Sequence, residues 1–116
     1  MTTLPILLVL IAGTAPAEGP KKDPPAKPVA RMVHYAGEVQ GVGFRATAVE
    51  IARDYPVTGW VKNLADGRVQ LLVEGPEEAV KRFLLAVRKR WPKNITKEQT
   101  EEKQPTGMYR TFSIMR

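Results

Sequence analysis

The chain has 116 residues, 43% of them apolar, and it contains no cysteine. This length excludes two ordinary domains and allows one small domain, whose modest core must be stable without disulfides. Eighteen Lys and Arg against twelve Asp and Glu give a net charge of +6, which favours an anionic partner without selecting among a phosphorylated metabolite, a nucleic acid and a lipid surface.

The N-terminal segment has the pattern of an export signal. Residues 4–12 are almost continuously apolar, and Ala15-Pro16-Ala17 places small residues at the two positions that a signal peptidase reads. The apolar run is too short to span a bilayer, so we expect residues 1–17 to be a signal peptide that is cleaved before Glu18. The mature protein would then be periplasmic or extracellular, with no membrane attachment. If the segment is not a signal peptide, the expected location is the cytoplasm.

Residues 18–30 have the composition of a solvated spacer. They contain four prolines and three lysines and offer almost nothing to bury. We therefore predict a Pro/Lys-rich linker here, followed by one folded domain over residues 31–116.

The folded domain is predicted to open with a strand, a glycine-rich loop and a helix. Val33 and Tyr35 alternate with other residues at the period of two that is typical of a strand. Residues 37–45 follow and contain three glycines. The apolar residues beyond them recur at helical spacing and stop at Pro56, which cannot continue a helix. These helical positions are Phe44, Ala48, Ile51, Ala52 and Tyr55.

The glycine-rich loop is a candidate oxyanion-binding site. Glycine permits positive φ and close approach of the backbone, and N–H groups at a helix N-terminus face an anion with the positive end of the helix dipole. Arg45, at the end of the loop, adds a permanent charge and a planar set of donors that matches a phosphate group. An isolated arginine here would be an exposed helix residue, and it is the preceding loop that favours phosphate binding.

Two further strands are predicted to form a hairpin. Val57, Gly59, Val61 and Asn63 lie on one face of the first, and Val69, Leu71 and Val73 lie on one face of the second. Asp66-Gly67 between them is a turn signal. Asn63 is therefore expected at a strand end, on the inward-facing side. Taken alone, it would be an ordinary turn residue.

The C-terminal third predicts a helix and more β structure. The sequence Gly75-Pro76-Glu77 suits a helix N-terminus, and Trp91-Pro92 suits its end. Residues 95–104 are polar and suit an edge strand, and residues 109–115 return to β character, with Phe112 and Ile114 as expected core residues. The order predicts a ferredoxin-like α+β fold, βαββαβ, in which two helices cover one face of an antiparallel sheet. One further strand is an alternative.

Two motifs closely resemble the two-part signature of the acylphosphatases. They are Gly37-x-Val39-Gln40-Gly41-Val42-Gly43-Phe44-Arg45 and Gly59-Trp60-Val61-x-Asn63-x-x-Asp66-Gly67-x-Val69. The resemblance covers about residues 31–116. It implies a hydrolase that converts an acyl phosphate into a carboxylate and inorganic phosphate, with no metal and no cofactor.

The resemblance also implies roles for particular residues. In the family, backbone amides of the loop hold the phosphoryl oxygens; here that loop is Gln40, Gly41, Val42, Gly43 and Phe44. The arginine that matches Arg45 binds the same phosphoryl group, and the asparagine that matches Asn63 orients the attacking water. The substrate's own phosphate accepts the proton, so the family needs no protein base.

Two alternatives remain open from the sequence. The domain could bind anions or a partner without catalysis, because the same donors bind phosphate whether or not a water is correctly placed. A nucleic-acid-binding module is less favoured, because RNA-binding sheets present stacked aromatics on central strands and Trp60 stands alone. We expect no nucleic-acid partner and no zinc site, a monomer, and a non-catalytic role for His34, the sole histidine.

Overall fold

The computed structural model describes residues 27–116, so the predicted signal peptide and most of the predicted linker lie outside the described residues. This part of the chain contains two helices and five strands. They are β1 (Pro28–Gly37), α1 (Phe44–Ala52), β2 (Thr58–Asn63), β3 (Val69–Pro76), α2 (Glu77–Arg90), β4 (Ile95–Lys103) and β5 (Phe112–Ile114). None of the helices within residues 27–116 is long and apolar enough to cross a membrane.

The strands form one sheet in the order β4-β1-β3-β2-β5. Neighbouring strands are antiparallel except β2 and β5, which run parallel. This arrangement confirms the predicted ferredoxin-like α+β fold, with the one further strand that the sequence allowed. The sheet is mixed rather than purely antiparallel, because the chain leaves β4 at one edge and crosses to the opposite edge before it enters β5.

Both helices pack on the same face of the sheet and enclose the core. The alternating positions of the strands supply one side of this core, and the apolar positions of α2 at spacings of three and four supply the other. Removing such side chains from water is the main stabilising contribution to a domain of this size. The largest fully buried residues are Tyr35, Phe44, Phe83, Leu71 and Val33.

The opposite face of the sheet is crossed by residues 104–111, which we call the strap. The carboxylate of Glu74 on β3 is buried and accepts hydrogen bonds of 3.0 to 3.1 Å from the backbone N–H groups of Thr106 and Gly107. It also accepts one from the Thr106 hydroxyl at 3.0 Å. The indole N–H of Trp60 lies 3.3 Å from the Tyr109 hydroxyl oxygen. These contacts hold the strap against the sheet and bring β5 to the edge of β2.

Two element bounds differ from the sequence prediction. β1 begins at Pro28, so three residues whose composition suggested linker belong to the sheet and pair with β3. A proline is tolerated as the first residue of a strand, and Ala30 is fully buried. α1 ends at Ala52 rather than continuing towards Pro56. The Tyr55 N–H bonds the Ala52 carbonyl at 3.1 Å, a tighter turn than an α-helix makes.

One predicted core residue is not in the core. Phe112 is buried against Phe83, with ring centroids 5.2 Å apart, as expected. Ile114, two residues later, is 36% exposed. The prediction failed because β5 is a three-residue edge strand and Ile114, at its end, borders an open cavity beside the start of α1.

Candidate active site

The glycine-rich loop between β1 and α1 is fixed at its start by the turn that precedes β4. The backbone N–H of Glu38 donates to the Asn94 carbonyl at 2.9 Å, and the Asn94 side-chain amide donates to the Glu38 carbonyl at 3.0 Å. Gly37 has φ +124°, and a Cβ at this position would overlap the Asn94 carbonyl oxygen. The close approach of the two segments therefore requires glycine.

The second half of the loop leads into α1 and leaves space in front of it. Gly41 and Gly43 have φ values of +77° and +91°, and a Cβ placed on either would meet no described residue other than its chain neighbours within 4 Å. Gly43 is the N-cap of α1 and provides no side-chain hydrogen bond to the helix. The first turn of α1 contains no acidic residue. Its leading N–H groups can therefore serve an anion from outside the helix.

A cavity of about 140 Å³ connects this loop with the end of β2. Since one water occupies about 30 Å³ in the liquid, the cavity has room for a group of phosphoryl size together with a water. Arg45 and Asn63 both line it, so the structure brings together the two residues that the separate motifs singled out. The full lining is Val39, Gly41, Gly43, Phe44, Arg45, Ala46, Asn63 and Ile114.

Asn63 contributes an unused hydrogen-bond acceptor. Its side-chain oxygen Oδ1 is buried and has no hydrogen-bond partner among residues 27–116. A buried polar atom left without a partner costs about 1–3 kcal/mol, so such atoms need a reason in a native structure. Asn63 lies at the end of β2 and is one of the residues that line the cavity. A carboxamide at this place has both a donor and an acceptor with which to hold a water.

Among the described residues that line the cavity, Arg45 is the only ionisable one. It is half-buried, and within the described chain it makes no ion pair with an acidic side chain. Its guanidinium charge is therefore not neutralised by a neighbouring carboxylate and is available to an anion in the cavity.

Two of the predicted loop residues do not line the cavity. The Gln40 side chain turns towards the β2–β3 hairpin, where its amide nitrogen Nε2 donates to the Leu64 carbonyl at 2.7 Å and to the Arg68 carbonyl at 2.9 Å. Val42 is 41% exposed. The resemblance assigns phosphate binding to the backbone amides of these residues, and that assignment stays a prediction.

Phe44 fixes the junction between the loop and α1. Its ring is buried, with the Tyr35 ring centroid 5.0 Å away and the Trp91 ring stacked at 5.6 Å. Burial raises the pKa of the Tyr35 hydroxyl above its ordinary value, so this group stays neutral. The start of α1 is thus anchored in the core directly beside Arg45.

Sequence reasoning missed Ile114 as a cavity residue. β5 runs parallel to β2 with Val61 opposite Ile114, which places Ile114 at the cavity. The pairing joins residues far apart in the chain across the strap, and no local pattern encodes its register. The same residue is the one whose predicted core position is wrong.

The sole histidine and Trp60 lie away from the cavity. His34 is on the sheet face opposite the helices, and its ring nitrogen Nε2 is 3.2 Å from the Gln70 side-chain nitrogen. Trp60 is on the same face, is 8% exposed and contacts the strap, so it offers no open stacking surface. Residues 27–116 contain no group of three or more His, Cys, Asp or Glu side chains placed to hold a metal ion.

Comparison with known proteins identifies the family. The acylphosphatase family model matches residues 31–114. The acylphosphatase of Bacillus velezensis is 53% identical over 79 residues, which cover 67% of this chain and 88% of that protein. The acylphosphatase of Methylococcus capsulatus is 42% identical over 82 residues, covering 70% and 89% of the two chains.

Solved structures give the same result. The crystal structure of acylphosphatase from Bacillus subtilis superposes with a TM-score of 0.70 at 37% identity and covers 76% of this chain and 99% of that chain. An acylphosphatase from Coxiella burnetii gives a TM-score of 0.65 at 28% identity, covering 76% and 93%. The chain belongs to the acylphosphatase family.

Proposed function

We propose that this protein hydrolyses acyl phosphates to a carboxylate and inorganic phosphate, without a metal or a cofactor. The observation that carries the proposal is that one cavity is lined by the loop before α1, by Arg45, which makes no ion pair within the described chain, and by Asn63. Family membership supports the same activity.

The loop and Arg45 bind the phosphoryl group. Catalysis of phosphoryl transfer depends mainly on positioning and on neutralising charge at the equatorial oxygens. The leading N–H groups of α1 and the Arg45 guanidinium supply fixed donors for those oxygens. The left-handed conformations of Gly41 and Gly43 direct the backbone around the space that the phosphoryl group occupies.

Asn63 places the attacking water. A carboxamide has both a donor and an acceptor, so it can orient a water without adding charge to the cavity. The water oxygen forms a bond to phosphorus while the bond from phosphorus to the acyl oxygen breaks. The carboxylate leaves with the electron pair of the broken bond. A phosphoryl oxygen of the substrate takes the proton.

The activity is tested by following benzoyl phosphate spectrophotometrically in the presence of a chelator. We expect the wild-type protein to hydrolyse benzoyl phosphate at a rate that the chelator does not reduce. Arg45→Ala and Asn63→Ala should each abolish this hydrolysis. Phosphate binding without hydrolysis by the wild type would instead indicate a catalytically silent anion-binding domain. Salt-sensitive binding of mixed single-stranded oligonucleotides tighter than about micromolar would favour a nucleic-acid-binding module.

We also propose that the protein is exported and acts as a monomer. Export is supported by the apolar segment and the small residues of positions 4–17. The mass of the protein recovered from the source cells tests it, since cleavage before Glu18 removes 17 residues. A full-length mass contradicts cleavage.

The oligomeric state is tested by gel filtration. Elution at the apparent mass of one chain supports the monomer, and elution at twice that mass contradicts it.

A further inference from the structure

The side chain of Gln40 joins the phosphate-binding loop to the hairpin that follows Asn63. Its amide nitrogen donates to the carbonyls of Leu64 and Arg68 at 2.7 and 2.9 Å. Leu64 is the residue directly after Asn63, and Arg68 directly precedes β3. Among the hydrogen bonds found in residues 27–116, these two are the only ones that connect residues 38–43 with residues 64–68.

The two acceptors are the carbonyls that close the hairpin. The Leu64 N–H donates to the Arg68 carbonyl at 2.8 Å, and the Gly67 N–H donates to the Leu64 carbonyl at 3.2 Å. Each carbonyl has two lone pairs, so each can accept a hairpin N–H and a hydrogen of the Gln40 amide together. Gln40 therefore completes the hydrogen bonding of the turn rather than competing with it.

We propose that Gln40 is a positioning residue for acyl phosphate hydrolysis, which ties the hairpin to the loop and so sets the distance between the Asn63 carboxamide and the bound phosphoryl group. The inference rests on the proposed function. Oδ1 of Asn63 has no hydrogen-bond partner within the described chain. The position of the Asn63 carboxamide at the cavity therefore depends on the backbone that carries it. An error of about 1 Å in such a placement can reduce a rate about a hundredfold.

The geometry separates this role from direct substrate binding. Both hydrogens of the Gln40 amide are directed to hairpin carbonyls, and the residue does not line the cavity. The side chain therefore acts through Asn63, whereas the backbone N–H groups and Arg45 act on the phosphoryl group. Loss of the side chain should lower the rate of hydrolysis and leave phosphate binding in place.

Gln40→Leu tests the proposal because it removes both donors with little change in volume. We expect kcat for benzoyl phosphate to fall about 10- to 100-fold, with the inhibition constant of inorganic phosphate changed less than about twofold. Gln40→Glu is a second, nearly isosteric variant. It places a carboxylate against two carbonyl oxygens and should lose as much activity. Gln70→Leu is the matched control, because the Gln70 amide contacts His34 on the opposite face of the sheet.

A double-mutant cycle with Asn63 distinguishes positioning from a general structural role. In the Asn63→Ala background, Gln40→Leu should reduce the residual rate by less than about twofold, since the group it positions is already gone. An equal loss in both backgrounds overturns the proposal. So does a wild-type kcat in either Gln40 variant, or a matching loss of phosphate binding. Inactivity of the wild type would contradict the proposed function instead.

Discussion

At the residue scale, the positive charge beside the cavity belongs to Arg45. We expect Arg45→Ala to lower kcat/KM for benzoyl phosphate by about a hundredfold or more and to weaken inhibition by inorganic phosphate as well. Arg45→Lys should not restore activity, because an ammonium lacks the planar pair of donors. Arg53→Ala is the matched control, since Arg53 is an exposed arginine at the C-cap of the same helix. Full activity in Arg45→Lys would show that a point charge is sufficient.

Arg45 and Asn63 could be predicted as site residues because each occupies a defined place in a motif, and both line the cavity. Ile114 could not be predicted, because its place in the wall depends on the register of β5 against β2. The contact of the Gln40 side chain with the Leu64 carbonyl could not be predicted either, since a glutamine in a loop gives no local signal of which carbonyl it will meet.

At the element scale, sequence patterns indicated both helices and all five strands of residues 27–116. β4 was indicated only by the polar composition of an optional edge strand, and for the other elements the errors concern their ends. β1 begins earlier than composition indicated because Pro28–Ala30 pair with β3. α1 ends earlier because the chain tightens into a turn at residues 53–56. No sequence pattern indicated the strap. It is built on Glu74, a buried carboxylate whose partners lie more than 30 positions away in sequence.

Glu74 provides an element-scale prediction. Glu74→Ala leaves the N–H groups of Thr106 and Gly107 without their acceptor, and we expect it to lower the free energy of unfolding by about 2–3 kcal/mol. Glu78→Ala removes an exposed ion pair with Arg82 and an acidic side chain from the first turn of α2, and should cost about 1 kcal/mol or less. Urea denaturation of both variants measures the difference. Equal stability of the two would mean that the strap is not held through Glu74.

At the scale of the whole molecule, the order of elements was enough to predict the fold class. The alternation of periods of two and 3.6 residues gave βαββαβ, and the known packing of that order placed both helices on one face. The parallel pairing of β5 could not be predicted, because a strand that follows a long crossover can join either edge of a sheet.

The net charge gives a prediction for the whole molecule. With a charge of +6, the protein should attract anionic substrates, and salt should screen that attraction. We expect kcat/KM for benzoyl phosphate to fall severalfold as ionic strength rises from about 0.01 to 0.15 M, while kcat changes little. Steady-state kinetics over a sodium chloride series measures both. A kcat/KM that is constant or rises with salt contradicts long-range attraction.

The division of labour between Arg45 and Asn63 is tested most directly by Asn63→Ala. Phosphate affinity is measured by titration calorimetry, and hydrolysis of benzoyl phosphate is measured on the same preparation. We predict that hydrolysis falls about a hundredfold or more while the Kd for inorganic phosphate stays within about twofold of the wild type. Retained hydrolysis, or an equal loss of hydrolysis and phosphate binding, would contradict it.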